Sequence, residues 1–294
     1  MAQAREVQEA MVARGWQTEL VPMPTRGDLI LDRALDQVGG KGIFTTELEQ
    51  ALLAGELDCA VHSLKDLPTE GGHEGSALTI AAYTSRADAR DVLIACAPIS
   101  SLEQVPRAGK IGTSSIRRRL FMEKLRPDLE IVPVRGKIAT RLRKMEESSW
   151  FGLVLAAAGL ERLGLGARIA CYLDPLIFVP APGQGILAVQ VRRDDEHAME
   201  AVKGAVNDPQ SAVCALAERA VLEVLGGGCQ IPLGAYAIWT DANDIWLSAK
   251  MVDVHGQEVT GEIRGHYREA KNLGRALGRQ LGERGGHAVA AGRE

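Results

Sequence analysis

Apolar and polar positions alternate in short, regularly changing patterns over most of the chain. Ala4, Val7 and Met11 follow helical spacing from the first residues. Strand-like and helical stretches then succeed one another: "TELVPM", "FTTELEQALLAGEL", "CAVHSL" and "ALTIAAYT", followed by "IRRRLFMEKL", "LEIVPV", "KIATRLRKMEE" and "FGLVLAAA". Such alternation predicts an α/β fold whose sheets are largely parallel and covered by helices. At 177–185, "IFVPAPGQG" interrupts the rhythm with prolines and glycines and reads as a hinge or a crossover ahead of the strand-like "ILAVQVR". The character changes after about residue 208. "PQSAVCALAERAVLEVLGGG" is a helix opened by Pro209 and closed by glycine. Two strand-like stretches with polar turns and a final helix over about 268–284 follow, which predicts a small α+β domain at the C-terminal end.

Composition narrows the class. The 294 residues suffice for two domains or three, each with its own core. The longest apolar run, "FGLVLAAAGL" at 151–160, falls well short of the roughly 18 residues of a membrane span, so none is expected. Five cysteines, Cys59, Cys96, Cys171, Cys214 and Cys229, are odd in number and never form a C-x-x-C pair. That argues against a disulfide framework or a zinc knuckle and for a reducing, cytoplasmic setting; no metal site is expected. The N-terminal residues lack the basic and apolar regions of a signal peptide and also lack a capping side chain, so the chain reads as starting inside a helix.

Charge is uneven. A net charge of −4 excludes a generally basic surface, yet residues 105–145 hold twelve lysines and arginines against three acids. A cationic region inside an acidic protein suits a bound anion. Aromatics are only 4% of the chain and few interleave with those arginines, so a base-stacking platform is lacking and no nucleic-acid partner is expected.

Four stretches carry candidate chemistry. In "AVHSLKDLPTEGG", Ser63, Lys65 and Asp66 follow a strand, where open α/β sheets bind ligands; the alternative is a solvated turn with a local Lys–Asp pair. In "GKIGTSSIRRRL", the hydroxyls of Thr113, Ser114 and Ser115 open a helix and offer an anion site that Arg117 and Arg118 would clamp. The alternative there is an N-cap serine ahead of a solvated basic face, to which Arg119 belongs. "VRGKIATRLRK" repeats the logic with Arg135 and Arg141, and the planar fork of arginine matches carboxylates in pairs. In "EVLGGGCQIPLG", three glycines precede Cys229, which favours an exposed, reactive thiol on a turn over the usual buried one. The loops "TRGD" and "VGGKGIF" are Gly-rich, but neither has Walker A spacing, and His62 reads as a packing residue.

Together these stretches resemble hydroxymethylbilane synthase, also called porphobilinogen deaminase. The resemblance runs in order through "TRGD", "VGGKGIFTTELE", "AVHSLKDLPT", "GTSSIRRR", "VRGKIATRL", "LAAAGLERLG", "PAPGQG" and "AERAVLEVLGGGCQIPLGAYA". It implies a dipyrromethane cofactor linked through a thioether to Cys229. Onto it the enzyme condenses four porphobilinogen molecules head to tail, releasing ammonia each time, before hydrolysis frees hydroxymethylbilane. Asp66 matches the family's catalytic aspartate. Arg117, Arg118, Arg135, Arg141 and Arg162 match positions that receive the substrate carboxylates, and Lys65, Ser63, Thr113, Ser115, Gly136 and Lys41 match further binding positions. Asp28, Phe44 and Gln184 match residues lining the cofactor and elongation site. The implied protein is a cytoplasmic monomer with two periplasmic-binding-protein-like α/β domains, 1–82 with 186–204 and 87–180, plus a small α+β domain at 208–294. Family members carry an R-[IV]-x-T-R-x-S-x-L-A strand and loop ahead of the point where this sequence starts, Gln37 stands where some have lysine, and Lys137 where many have asparagine. The competing expectation is a truncated, non-catalytic protein that binds carboxylated pyrroles or other anions.

Overall fold

Among the described residues, three small sheets, each with its own helices, organise the chain. The structure is a computed structural model that describes residues 1–24, 45–69, 76–226, 231–241 and 243–285. In the first sheet β1 (Cys59–Ser63) and β2 (Leu78–Tyr83) flank β8 (Leu187–Arg192), which returns from more than a hundred residues later and pairs antiparallel with both. Helices α1 (Ala2–Val12) and α6 (Glu196–Val206) cover one face, where Val7 and Met11 meet Val189, Val191, Ala201 and Val202. Helix α2 (Thr46–Leu53) packs Leu52 onto Ala60 and Leu78.

The second sheet has the order β5-β4-β6-β3-β7. Its strands are β3 (Asp91–Ala95), β4 (Lys110–Gly112), β5 (Glu130–Val132), β6 (Gly152–Ala156) and β7 (Cys171–Tyr172). Helices α3 (Ile116–Leu125), α4 (Ile138–Glu146) and α5 (Ala157–Glu161) connect and cover them. Burial on both faces explains the unbroken apolar runs: in β3, Leu93 joins Ile111, Phe121 and Val154, while Val92 and Ile94 join Leu142, Leu153 and Leu155 on the other side.

The third sheet is an antiparallel meander of β9 (Leu233–Trp239), β10 (Asp244–Val252) and β11 (Glu258–His266). It is backed by α7 (Pro209–Val224) and α8 (Ala270–Gly285). Asp208 caps α7 by accepting from the Ser211 amide, with Pro209 in the first turn, where no backbone donor is needed. The two helices lie so close that a Cβ on Gly274 would come within 2.1 Å of the Ala217 carbonyl oxygen.

Two expectations are corrected. Among the described strands only the β4–β5 and β4–β6 pairs are parallel; β8 runs antiparallel to both its neighbours in the first sheet, β3 to both of its own in the second, and the third sheet is an antiparallel meander. "TELVPM" forms no strand: Pro22 and the following Pro24 lack the amide protons a ladder needs.

Residues 84–90 and 173–186 pass between the first two sheets. The two crossovers touch where the Ala87 amide donates to the Gly185 carbonyl at 3.2 Å. Gly185 has φ +90°, and a Cβ there would meet the Ala87 oxygen at 2.5 Å, so the contact requires glycine. Glu218 of α7, fully buried, ties both crossovers to the third sheet. Its carboxylate accepts two bonds from Arg86, both at 2.7 Å, and one each from the amides of Gly183 and Ala237 at the same distance.

Candidate functional site

A cavity of about 250 Å³ opens between the first two sheets, below the crossovers. From the first sheet, the end of β1 brings Ser63, and the 3-10 turn Leu64–Asp66 brings Lys65 and Asp66. Arg219 of α7 pins that turn, donating to the carbonyls of Leu67 and Pro68 at 2.8 and 2.7 Å. The second sheet contributes Arg118, Gly136, Arg141 and Arg162, and the crossover contributes Gln184. Helix α1 reaches in with Gln3, whose amide donates to Ser63 Oγ at 2.6 Å.

One buried carboxylate arranges much of this wall. Asp91, at the head of β3, is fully buried and takes Arg117 Nη2 at 2.7 Å on one oxygen and Arg118 Nε at 2.9 Å on the other. Burial alone would raise its pKa, but the two guanidiniums outweigh that and hold it below the usual carboxylate range. Asp91 also accepts from Gln184 Nε2 at 3.0 Å, and the same nitrogen donates to the Ala89 carbonyl at 2.7 Å. The Gln184 amide is therefore fixed with its oxygen towards Lys65 Nζ, 3.3 Å away, and Arg118 Nη2, 3.4 Å away.

The cations differ in what they can still hold. Arg118 lines the cavity, but Asp91, the Val154 carbonyl and Gln184 each engage one of its three nitrogens, so it acts there chiefly as a fixed charge. Arg141 spends Nε on the Gly136 carbonyl at 2.7 Å, and its pKa is lowered by burial and then by the neighbouring Arg118. Lys65 is lowered to about 8, first by burial and then by Arg118 and Arg117, with Asp66 and Asp91 opposing. Asp66 itself is exposed at the cavity edge.

The other sequence candidates stand back from the cavity. Arg117 is 4% exposed and turned into the core, with Nη1 on the Val179 carbonyl at 2.7 Å and Nη2 on Asp91. Thr113 Oγ1 accepts from the Ser115 amide, Ser115 Oγ from the Arg118 amide, and Ser114 Oγ donates to the Val134 carbonyl, so these hydroxyls shape the start of α3. Arg135 precedes the cavity-lining Gly136, and its buried Nη1 has no partner among the described residues. Part of the basic region 105–145 is locally neutralised, by Lys110–Glu130, Arg126–Asp128 and Arg143–Glu147. Asp28, Lys41, Phe44 and Cys229 lie outside the described residues. His62 is buried and paired with Gln190 at 3.1 Å.

Asp91, Gln3 and Arg219 were not anticipated. For Asp91 the sequence does hold a signal, a carboxylate at the mouth of the wholly apolar "VLIA"; Gln3 and Arg219 act across 60 or more residues and leave none.

The comparisons with known proteins agree along the chain. Residues 1–200 match the family model described as porphobilinogen deaminase, dipyromethane cofactor binding domain, and residues 212–283 match porphobilinogen deaminase, C-terminal domain. A porphobilinogen deaminase of Roseiflexus castenholzii is 39% identical over 99% of this chain and 95% of its own length. One from Syntrophobacter fumaroxidans is 41% identical over 98% of this chain and 93% of its own, and one from a Roseiflexus species 42% over 91% and 86%. Among solved structures, the periplasmic VFT2 domain of BvgS from Bordetella pertussis matches at a TM-score of 0.39 and 14% identity, over 69% of this chain and 76% of that one. A likeness that loose carries no weight, and the architecture rests on the strands themselves. Two domain models matched in order, with relatives near 40% identity across almost their full lengths, leave one conclusion: the chain belongs to the porphobilinogen deaminase family.

Proposed function

We propose that this chain is a hydroxymethylbilane synthase. It condenses four porphobilinogen molecules head to tail on a dipyrromethane held by Cys229, with loss of ammonia at each step, and hydrolysis then releases the linear tetrapyrrole. The observation that carries the reading is the cavity itself: an exposed carboxylate, Asp66, shares it with Lys65 from the same turn and with Arg118, Arg141 and Arg162 from the second sheet. The substrate's chemistry needs both halves. Departure of ammonia from an aminomethyl pyrrole leaves a cation, and each ring carries an acetate and a propionate.

In this reading Asp66 stabilises the positive charge that develops as ammonia leaves and accepts the proton released when the new bond forms. Lys65 and Arg141 bind carboxylates directly, Arg162 does so from the rim, and Arg118 adds charge. Arg117 enters as the residue that keeps Asp91 ionised. The donor set fits an anionic dipyrromethane: Lys65 reaches the cavity from the first sheet and Arg118, Arg141 and Arg162 from the second, and Arg135, next in sequence to the cavity-lining Gly136, has a buried, unpartnered Nη1 that a carboxylate would satisfy. When bound, that cofactor supplies the pyrrole carbon to which the first substrate unit is joined. Asp28, Lys41, Phe44 and Cys229 keep the roles that the family motifs imply.

The proposal includes the division into 1–82 with 186–204, 87–180 and 208–294, and it is supported by the way each sheet follows one of those spans, with only Tyr83 at the end of β2 lying beyond. It extends to a cytoplasmic monomer; Cys59, Cys96, Cys171 and Cys214 are free thiols, which fits reducing surroundings. No helix among the described residues is long and apolar enough to cross a membrane.

The test is the intact mass of the purified chain beside Cys229→Ala, read together with ammonia release from porphobilinogen. A dipyrromethane-sized adduct and turnover, both lost in the variant, are expected. A bare mass and no ammonia from the parent chain would refute the reading.

A further inference from the structure

Arg162 lines the cavity, yet its fork is already partly taken by the protein's own carboxylate. Nε donates to Glu6 Oε2 at 2.7 Å, while Nη2 donates to the Gly185 carbonyl at 3.0 Å. Glu6 lies on α1 one turn beyond Gln3, so the helix turns the same face to the cavity edge with both residues. The two ends of the pair are unequal: the Arg162 side chain is 12% exposed and the Glu6 side chain 44%. A half-exposed glutamate on a flexible stem is the partner that can leave, whereas the arginine is held in place from behind by a backbone carbonyl.

We propose that Glu6 is a built-in stand-in for a ligand carboxylate, occupying Arg162 until a carboxylated substrate displaces it. The inference rests on the reading of this cavity as a pyrrole-carboxylate site. Glu6 thereby sets affinity and takes no part in bond making. Losing Glu6 leaves Arg162 still anchored through Gly185, now with its Nε edge open to the ligand. The gain is bounded by the worth of such partly exposed pairs: about two- to fivefold in affinity, which at 1.4 kcal/mol per tenfold is about 0.4–1 kcal/mol.

The test compares the parent chain, Glu6→Gln and Glu9→Gln. Glu9 is an exposed glutamate on the same helix, so its substitution removes an equal charge without opening Arg162. For Glu6→Gln the expected result is a KM for porphobilinogen about two- to fivefold lower with kcat unchanged, and for Glu9→Gln no change in either. A KM that is equal or higher in Glu6→Gln, or an equal fall in Glu9→Gln, overturns the inference. Should the parent chain release no ammonia, calorimetric titration of the same chains with porphobilinogen gives the affinity ratio in place of KM. Failure of the parent to release ammonia would therefore count against the proposed activity, and the ratio would still decide the role of Glu6.

Discussion

A lysine crowded by protein atoms and by two arginines gives up its proton more readily than one in water, and Lys65 is brought to about 8. Its charge is present below that pH and lost above it. A bound carboxylate favours the charged form, so apparent affinity for a carboxylated ligand falls as pH rises through 8, by up to about tenfold per pH unit. We expect porphobilinogen 1/KM to decline from pH 7.5 to 9.5 in the parent chain. Lys65→Arg, which stays charged, should flatten that limb; an equal decline in both would place the titrating group elsewhere. At this scale the sequence was partly legible. Ser63, Lys65 and Asp66 follow a strand and do meet at the cavity, and Arg118 and Arg141 reach it from the second sheet. Arg117 and Arg118 are adjacent in sequence, but the buried Asp91 splits them, turning one to the core and presenting the other. Adjacent arginines look equivalent until the acid between them is known.

At the scale of elements, His62 on β1 reports the pairing of two distant strands. It is buried against Gln190 of β8, and burial lowers its pKa to about 4, the hydrogen bond to Gln190 opposing. In the unfolded chain the imidazole takes a proton near 6.5, whereas the folded state excludes it until about 4. The group therefore contributes stability that is present above pH 6.5 and lost as pH falls towards 4, about 3 kcal/mol in all. Urea unfolding between pH 7 and 4 should show a shallower acid limb for His62→Gln, which keeps an amide donor for Gln190 and cannot ionise. Parallel limbs would mean that His62 titrates alike in both states. Element positions were legible because Pro209, Asp208 and the alternating apolar runs mark ends and faces locally. Pairing direction was not. An unbroken run such as "DVLIA" reports burial on both faces and is silent on which way its neighbours run, and nothing near β1 announces that β8 will enter beside it.

The arrangement of the whole molecule depends on a residue that looks unremarkable in the sequence. Glu218 sits mid-helix in "LAERAV", where no local pattern marks it, yet it is the acceptor on which Arg86, Gly183 and Ala237 converge. Burial alone would lower the pKa of Arg86, and Glu218 more than offsets this and raises it. The carboxylate so joins the third sheet to the two crossovers that set the first sheet against the second, and thus to the mouth of the cavity. Removing one partner of such a buried pair strands the other charge, which costs about 3–5 kcal/mol. Glu218→Gln and Arg86→Leu should each lower the urea unfolding free energy by roughly that amount. Because the second substitution removes a charge already stranded by the first, the double variant should lose less than their sum, by a coupling of about 1–3 kcal/mol. Additive losses would show that the pair is incidental and that packing alone holds the third sheet to the crossovers.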